Sequence, residues 1–173
     1  MPSRQPATRK APQPVTAAAF KSAMRQVASP VAVIAAQKGN TRAGLTATAV
    51  CSASADPPTI LVCVNRNSSA EPIIAGSGAF SVNFLDEDQS GIARLFSTPK
   101  LDGDARFAEG VWKRGVTGAP VLQGAISAFD CQVVEIMPCG THSIVLGRVL
   151  AVGSTESRPL LYRDGFFQRL AAS

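Results

Sequence analysis

Between residues 42 and 69, two β-type runs are joined by the turn Asp56-Pro57-Pro58, and this pair restricts the possible folds more than any other part of the chain. The first run carries alanines and small hydroxyl residues where a packed strand carries bulky side chains. Short side chains allow a flat ligand to approach the backbone, and their hydroxyls and neighbouring N–H groups bond its polar edge. The positions that fit this description are Thr46, Ala47, Thr48, Cys51 and Ser52.

Seven β-type runs separated by turn residues predict an antiparallel barrel. These runs cover residues 31–36, 45–53, 59–65, 79–85, 125–137, 143–155 and 159–162. Helices are predicted at 15–28, 69–76 and 86–96. The third begins with three acidic residues, which favour a helix N-terminus. Because the helices do not alternate regularly with the strands, a doubly wound parallel sheet is not expected.

Composition limits the classes of partner. Residues 1–14 hold four prolines, three basic residues and no acidic residue, and they are predicted to form a disordered basic tail. The formal charge of the whole chain is +5, but residues 15–173 contain 14 basic and 12 acidic residues. Aromatic residues, which a basic nucleic-acid surface needs, make up only 6%. We therefore expect no nucleic-acid partner and a single domain over residues 15–173.

No apolar run reaches the length of a membrane span, and the N-terminus has no secretory signal pattern, so a cytoplasmic protein without a membrane partner is expected. The four cysteines form no CxxC pair, and His142 is the only histidine. Neither a disulfide framework nor a metal site is therefore expected. A Rossmann domain is not expected either, because Gly76-Ser77-Gly78 lacks the third glycine of GxGxxG.

A second polar segment, Asn65-Arg66-Asn67-Ser68-Ser69, stands where a predicted strand ends and a predicted helix begins. It offers a guanidinium and several N–H and O–H donors, which are the groups that bind phosphate. Taken alone, the same segment is typical of a polar turn with a solvated arginine. Cys51 taken alone is equally typical of a small core residue.

Together these segments resemble the small flavin reductases that supply reduced flavin to two-component monooxygenases, such as the reductase partner of 4-hydroxyphenylacetate hydroxylase. The resemblance rests on residues 42–69, 140–149 and 159–163, and it covers roughly residues 20–170. It implies a mainly β fold, an antiparallel Greek-key split barrel of the flavin-reductase and FMN-binding type with short flanking helices. On that fold, flavin and nicotinamide bind without a Rossmann domain.

The resemblance also implies residue roles. It places Thr46, Ala47, Thr48, Cys51 and Ser52 beside the flavin ring, and Asn65, Arg66, Asn67 and Ser68 toward the ribityl phosphate. Arg106 would approach the cofactor, although its charged loop is also typical of a solvated arginine. His142 coincides with the position beside the nicotinamide, where it would orient the ring without transferring a proton. A lone histidine at a strand start is also typical of a surface or structural residue.

The resemblance implies an NADH:flavin oxidoreductase, with FMN or FAD as the flavin and NADH as the reductant. It also implies that His142 is the catalytic residue and that the protein is a homodimer. The reduced flavin would pass electrons to a monooxygenase component or, as in one branch of the family, to the cobalt of a corrinoid in cobalamin biosynthesis. The sequence does not decide which of these acceptors is used, whether the reductant is NADH or NADPH, or whether the flavin stays bound to the protein. A non-catalytic flavin- or haem-binding split-barrel module is the alternative. A pyridoxamine-phosphate-oxidase-like enzyme is disfavoured because no dense set of Arg and Lys for a second phosphate is present.

Overall fold

The computed structural model describes residues 13–171, so the predicted tail at 1–14 lies almost wholly outside the described residues. The α-helices are α1 (Ala17–Met24), α2 (Ala70–Ser77) and α3 (Ser90–Ser97), and a short 3-10 helix spans Asp104–Phe107. The strands are β1 (Ser29–Pro30), β2 (Ala32–Lys38), β3 (Thr41–Ala47), β4 (Val50–Ala55), β5 (Pro58–Asn65), β6 (Ala79–Phe84), β7 (Trp112–Arg114), β8 (Pro120–Leu122), β9 (Ser127–Cys139), β10 (His142–Ser154), β11 (Leu161–Arg163) and β12 (Phe166–Gln168).

Seven strands form one antiparallel sheet in the order β3-β2-β6-β9-β10-β5-β4. The two edge strands, β3 and β4, are separated in the chain only by Thr48 and Ala49. A link of that length spans at most about 10 Å, so the sheet must curl until its two edges meet at this point. No backbone ladder joins β3 to β4 in the described residues, and the barrel therefore stays split. The predicted mainly β, antiparallel split-barrel class is confirmed.

The first predicted strand of the motif, residues 45–53, is wrong as a single strand. The chain leaves β3 after Ala47 and starts β4 at Val50, on the opposite edge of the sheet. At the crossing, the Ala49 carbonyl accepts the Cys63 N–H at 3.0 Å, which ties the link to β5. Both halves have the same small-residue composition, so nothing local in the sequence marks the crossing. The predicted turn at Asp56-Pro57 does join β4 to its antiparallel neighbour β5.

The core has two parts, and β2 contributes to both because it is buried on both faces. Inside the barrel, Ala32, Ile34 and Ala36 pack with residues such as Val62 and Phe80. On the other face, Val33 and Ala35 pack beneath α3, with Phe96 and Leu122. A strand covered on both sides needs a continuous apolar run, as residues 31–36 provide.

The helices differ from their predicted bounds. The helix α1 is shorter than 15–28 and contributes no buried residue. The helix α3 begins at Ser90 because the acidic residues before it are used in a turn, where the Asp86 carboxylate accepts the Asp88 N–H at 2.8 Å and the Ser157 hydroxyl. Buried Glu87 pairs with Arg158 at 2.6 Å. The three-residue strands β7, β8 and β12 were not predicted, because such short runs carry no period.

None of the helices in residues 13–171 is long and apolar enough to cross a membrane. The cytoplasmic location stays a prediction.

Candidate functional site

A cavity of about 630 Å³ lies between β3, the end of β5, the start of α2 and the loop that follows α3, and we call it the polar cavity. It is lined by Gly44, Leu45, Thr46, Asn65, Asn67, Ser68, Ser69, Phe96, Ser97, Thr98, Pro99, Lys100, Leu101 and Arg106. Of the residues predicted for the site, the structure brings Thr46, Asn65, Asn67, Ser68 and Arg106 together here. Residues 97–101, which lie at the end of α3 and in the loop that follows it, were not among the predicted site residues.

The turn at the end of β5 brings amide and hydroxyl groups to the edge of the polar cavity. The Asn65 side-chain oxygen accepts the Asn67 N–H at 2.9 Å, and the Asn65 carbonyl accepts the Ser68 N–H at 2.9 Å. These two bonds fold the turn so that α2 starts immediately behind it. Ser69 precedes α2 without making a side-chain cap bond, and the buried Ser68 Oγ has no hydrogen-bond partner. Unsatisfied N–H and O–H groups at a helix N-terminus form a site for an anion.

The first residues of the motif join β3 to the rest of the fold. The Thr46 hydroxyl donates to the Ala93 carbonyl of α3 at 2.7 Å, and Ala47 is buried in the barrel core. Gly44 allows Phe96 to approach closely, because a Cβ at Gly44 would lie 2.6 Å from the Phe96 ring. The small residues here therefore let α3 dock on β3 and form one wall of the cavity.

The remaining residues of the motif lie elsewhere. Exposed Thr48 lines a cavity of about 460 Å³ between α1 and the hairpin of β11 and β12. Exposed Cys51 and Ser52 line a cavity of about 600 Å³ with Phe84, Phe129 and residues 149–152, which we call the apolar cavity. The crossing at 48–49 causes this division.

His142 is the cross-strand partner of Asn65, so it stands next to the turn that lines the polar cavity. Its side chain is exposed, and its Nδ1 lies 2.9 Å from the Thr141 hydroxyl. The Thr141 carbonyl accepts the Arg66 N–H at 3.1 Å, which closes β5 and β10 at this end. The Arg66 side chain is exposed and does not line the polar cavity. The structure thus joins the two polar segments that the sequence separates by more than 70 residues.

Arg106 is not the solvated arginine that a charged loop suggests, because it is only 8% exposed. Its Nη1 donates to the carbonyls of Leu95 and Phe96 at 3.1 and 2.9 Å, and its Nη2 donates to that of Thr98 at 2.8 Å. These carbonyls belong to the last turn of α3 and to its C-cap Thr98, where helical partners run out, although the Leu95 carbonyl also accepts the Thr98 N–H at 3.3 Å. Its Nε is buried without a hydrogen-bond partner. Arg106 therefore holds the C-terminus of α3 and the loop that borders the polar cavity.

The cysteines are free thiols. Burial raises the pKa of the Cys63 thiol, and the charges of Cys139 and Cys51 raise it further. Burial, together with the neighbouring Asp130 carboxylate, raises the pKa of Cys131 to about 12. A raised pKa disfavours the reactive thiolate. Within residues 13–171, no three side chains of His, Cys, Asp or Glu are grouped so that they could hold a metal ion.

The fold is a small split antiparallel barrel with a polar cavity at a helix N-terminus, a setting that favours an anionic ligand. The model of the flavin reductase like domain matches residues 24–171. The chain is 43% identical over 160 residues to the FMN reductase (NADH) RutF 2 of Methylorubrum extorquens, covering 92% of each protein. It is 42% identical over 154 residues to the FMN reductase (NADH) RutF of Stutzerimonas stutzeri, covering 88% of this chain and 87% of that one.

Solved structures of flavin reductases have the same fold as this chain. BorF, the flavin reductase component of a bacterial two-component tryptophan halogenase, has a TM-score of 0.83 at 30% identity, covering 91% of this chain and all of that one. An NADH:FAD oxidoreductase of Streptomyces globisporus, in complex with NAD and FAD fragments, has a TM-score of 0.81 at 27% identity, covering 88% of this chain and 91% of that one. This chain belongs to the flavin reductase family. The resemblance described from the sequence is confirmed, and the expectation of an oxidoreductase is confirmed with it.

Proposed function

We propose that this chain is an NADH:flavin oxidoreductase with FMN as its preferred flavin and FAD as a second possible flavin. Two relatives named as NADH-dependent FMN reductases share at least 42% of their residues with it over most of the chain. The observation that carries the proposal for this chain is the polar cavity, where the unpaired Ser68 Oγ and the N-terminus of α2 lie side by side.

The polar cavity fits the phosphate end of FMN. Ser68 Oγ is a buried hydroxyl without a partner, and burying such a group costs free energy unless a ligand satisfies it. Asn65 and Asn67 add amide groups, and the dipole of α2 favours a negative charge at its N-terminus. We assign the phosphate to this turn, with Arg66 beside it on the exposed side.

The segment that leads from Thr46 to Ser52 is assigned to the flavin ring. Thr46 and Ala47 anchor it through α3 and the core, while Thr48, Cys51 and Ser52 stand on its exposed part. When bound, the flavin supplies the hydride-accepting ring, and the chain supplies binding and orientation.

His142 is proposed to hold the nicotinamide. Its Nδ1 is engaged by Thr141, which leaves Nε2 as the ring nitrogen available to the carboxamide. Its place beside Asn65 puts this contact next to the flavin-binding turn. Because hydride transfer needs the two reacting atoms about 3–3.5 Å apart, orientation by His142 affects the rate without a proton transfer.

A homodimer is also proposed. The apolar cavity is open, and large apolar side chains near it are exposed, with Leu150 at 51% and Val152 at 67%. Exposed apolar surface of this kind is typical of a protein interface, and a second copy of the chain is the partner that the family resemblance implies. Light scattering tests this. A monomer mass at micromolar concentration with activity retained contradicts it.

The electron acceptor is proposed to be a monooxygenase component that receives reduced flavin. The family resemblance implies this acceptor, and BorF, the reductase component of a two-component tryptophan halogenase, shows the same division into reductase and partner enzyme. A corrinoid cobalt centre is the second acceptor that the family resemblance allows. Anaerobic NADH oxidation with FMN and FAD, followed by addition of each acceptor, separates them. NADPH is tested in parallel.

Stopped-flow mixing of the flavin-loaded protein with NADH distinguishes the enzyme from a non-catalytic flavin- or haem-binding module. Rapid bleaching of the oxidised flavin band supports the reductase. A bound flavin that NADH does not reduce supports the module, and no flavin binding with either FMN or FAD rejects the proposed function.

A further inference from the structure

One positively charged side chain that lines the polar cavity forms no ion pair in the described residues. The cavity has two charged lining residues, and one of them, Arg106, donates both Nη groups to backbone carbonyls. Lys100, the other, is exposed on the rim, and no carboxylate in residues 13–171 pairs with its ammonium group. Its side chain is therefore free to meet an anion in the cavity.

The backbone at Lys100 is unusual. Its φ is 58°, in the left-handed region that glycine adopts at low cost and that a residue with a side chain rarely adopts. Residues held in such conformations cluster at ligand-binding loops, where the surrounding structure enforces them. Here Pro99 restricts the backbone immediately before Lys100, and the Thr98 carbonyl is held by Arg106 at 2.8 Å. The loop is thus fixed from one side while Lys100 borders the cavity.

The opposite wall of the same cavity carries the anion-binding groups already described. Ser68 Oγ is buried and unpaired, and Ser69 stands at the start of α2 without capping it. Two elements distant in sequence, the 65–69 turn and the 98–101 loop, therefore supply neutral donors and a point charge to one space. Arg66, the cation expected from the sequence, does not line that space.

We propose that Lys100 is a specificity-determining residue that binds the terminal phosphate of FMN and favours FMN over riboflavin and FAD. The inference rests on the proposed function. FMN ends in a phosphate monoester, which carries about −1.5 to −2 charges near pH 7. The pyrophosphate bridge of FAD carries about two charges in total, about one on each phosphate, and riboflavin carries none. A single ammonium therefore favours FMN most strongly over riboflavin, and it favours FMN over FAD only through the denser charge on one terminal phosphate. A lysine acts here as a point charge and needs no fixed hydrogen-bond geometry.

Equilibrium titrations with FMN, FAD and riboflavin test this in four variants. Lys100→Gln removes the charge, Lys100→Gly removes the charge and relieves the backbone, and Lys100→Arg keeps the charge. Lys113→Gln is the matched control, because Lys113 is exposed on β7 and does not line the polar cavity. Thermal unfolding without flavin first establishes that each variant is folded.

Lys100→Gln and Lys100→Gly should weaken FMN binding about tenfold or more, as expected for loss of one charge-assisted contact. Riboflavin affinity should be unchanged, and Lys100→Arg and Lys113→Gln should bind FMN within about threefold of the wild-type protein. The FMN affinity of the wild-type protein should fall with added salt more steeply than that of Lys100→Gln, since an exposed contact is screened.

Three results overturn the proposal. Unchanged FMN affinity in both Lys100→Gln and Lys100→Gly removes Lys100 from the site, and an equal loss for riboflavin shows that the loop and not the charge was disturbed. Loss of the FMN-to-riboflavin preference in Arg66→Gln, with its retention in Lys100→Gln, assigns the phosphate to Arg66. If the wild-type protein still binds FMN and oxidises NADH in these cases, the proposed function stands and only the role of Lys100 fails.

Discussion

His142 and Asn65 are directly opposed in the antiparallel pairing of β10 and β5. One belongs to the polar segment expected to hold the flavin phosphate, and the other is the residue expected to orient the nicotinamide. Their pairing places the two expected ligand contacts at one end of the same two strands. Because the two residues are neighbours, flavin affinity and the kinetics with NADH have to be measured separately to distinguish their expected roles.

His142→Ala should raise the NADH KM and slow flavin reduction while leaving flavin affinity nearly intact. Loss of one orienting hydrogen bond costs about 1–2 kcal/mol in kcat/KM, a drop of roughly five- to thirtyfold. Single-turnover reduction of preloaded flavin across NADH concentrations measures this. Wild-type rates in the variant end the orienting role, and a loss of about a hundredfold or more indicates acid-base catalysis instead.

Ser68→Ala should lower FMN affinity without lowering the stability of the flavin-free protein. The Ser68 Oγ is buried with no partner, so its removal relieves a desolvation cost of about 1–3 kcal/mol in the empty protein. Thermal unfolding with and without FMN measures both effects. Ser77→Ala is the control, because the Ser77 hydroxyl donates to the Ala79 carbonyl at 3.0 Å and its loss should destabilise the protein. A less stable flavin-free Ser68→Ala protein contradicts the ligand role.

Arg106→Met should destabilise the protein by about 2–4 kcal/mol, because three carbonyls at the end of α3 lose their buried donor. Arg106→Lys should recover little, since an ammonium does not reproduce the guanidinium fork. Chemical denaturation measures the loss, with exposed Arg114→Met as the control. Full stability in Arg106→Met together with lost flavin binding assigns Arg106 to the ligand alone.

Gly44→Ala should destabilise the protein by about 1–3 kcal/mol and weaken flavin binding, because the new Cβ would lie 2.6 Å from the Phe96 ring and 2.8 Å from the Ile34 carbonyl. The backbone carbonyl cannot move aside as a flexible side chain does. Gly153→Ala, where no atom lies within 4 Å of the new Cβ, is the matched control. Equal stabilities in the two variants refute the close-packing role of Gly44.

Asp86→Asn should lower stability at neutral pH, and the difference should shrink in acid. The Ser157 hydroxyl, followed by the Asp88 N–H, holds the pKa of the Asp86 carboxyl below its ordinary value. A depressed folded-state pKa stabilises the protein above the unfolded-state pKa of about 3.9, and that contribution is lost as the pH falls through the folded-state pKa. Denaturation curves at pH 7 and near pH 3 measure the change. A difference that grows toward acid contradicts the assignment.

Much of the strand pattern was readable because it depends on local chemistry. The strands β2, β5, β6, β9 and β10 begin and end within two residues of the predicted bounds. The start of α3 was misplaced because the carboxylate of Asp86 is bonded to Ser157, which lies 71 residues away. No local rule contains that partner.

By itself, the amino-acid sequence determined the β-rich class, the turn at Asp56-Pro57 and the resemblance to the family. Strand composition, turn residues and short sequence motifs are all local properties of the chain. Only the tertiary structure decided that the motif divides at Thr48, that Arg106 is a buried support and that Lys100 shares a cavity with Ser68. The physical reason is the closure of the sheet. Curling brings edges and loops together through backbone hydrogen bonds between distant residues, and those contacts leave no periodic mark in the chain.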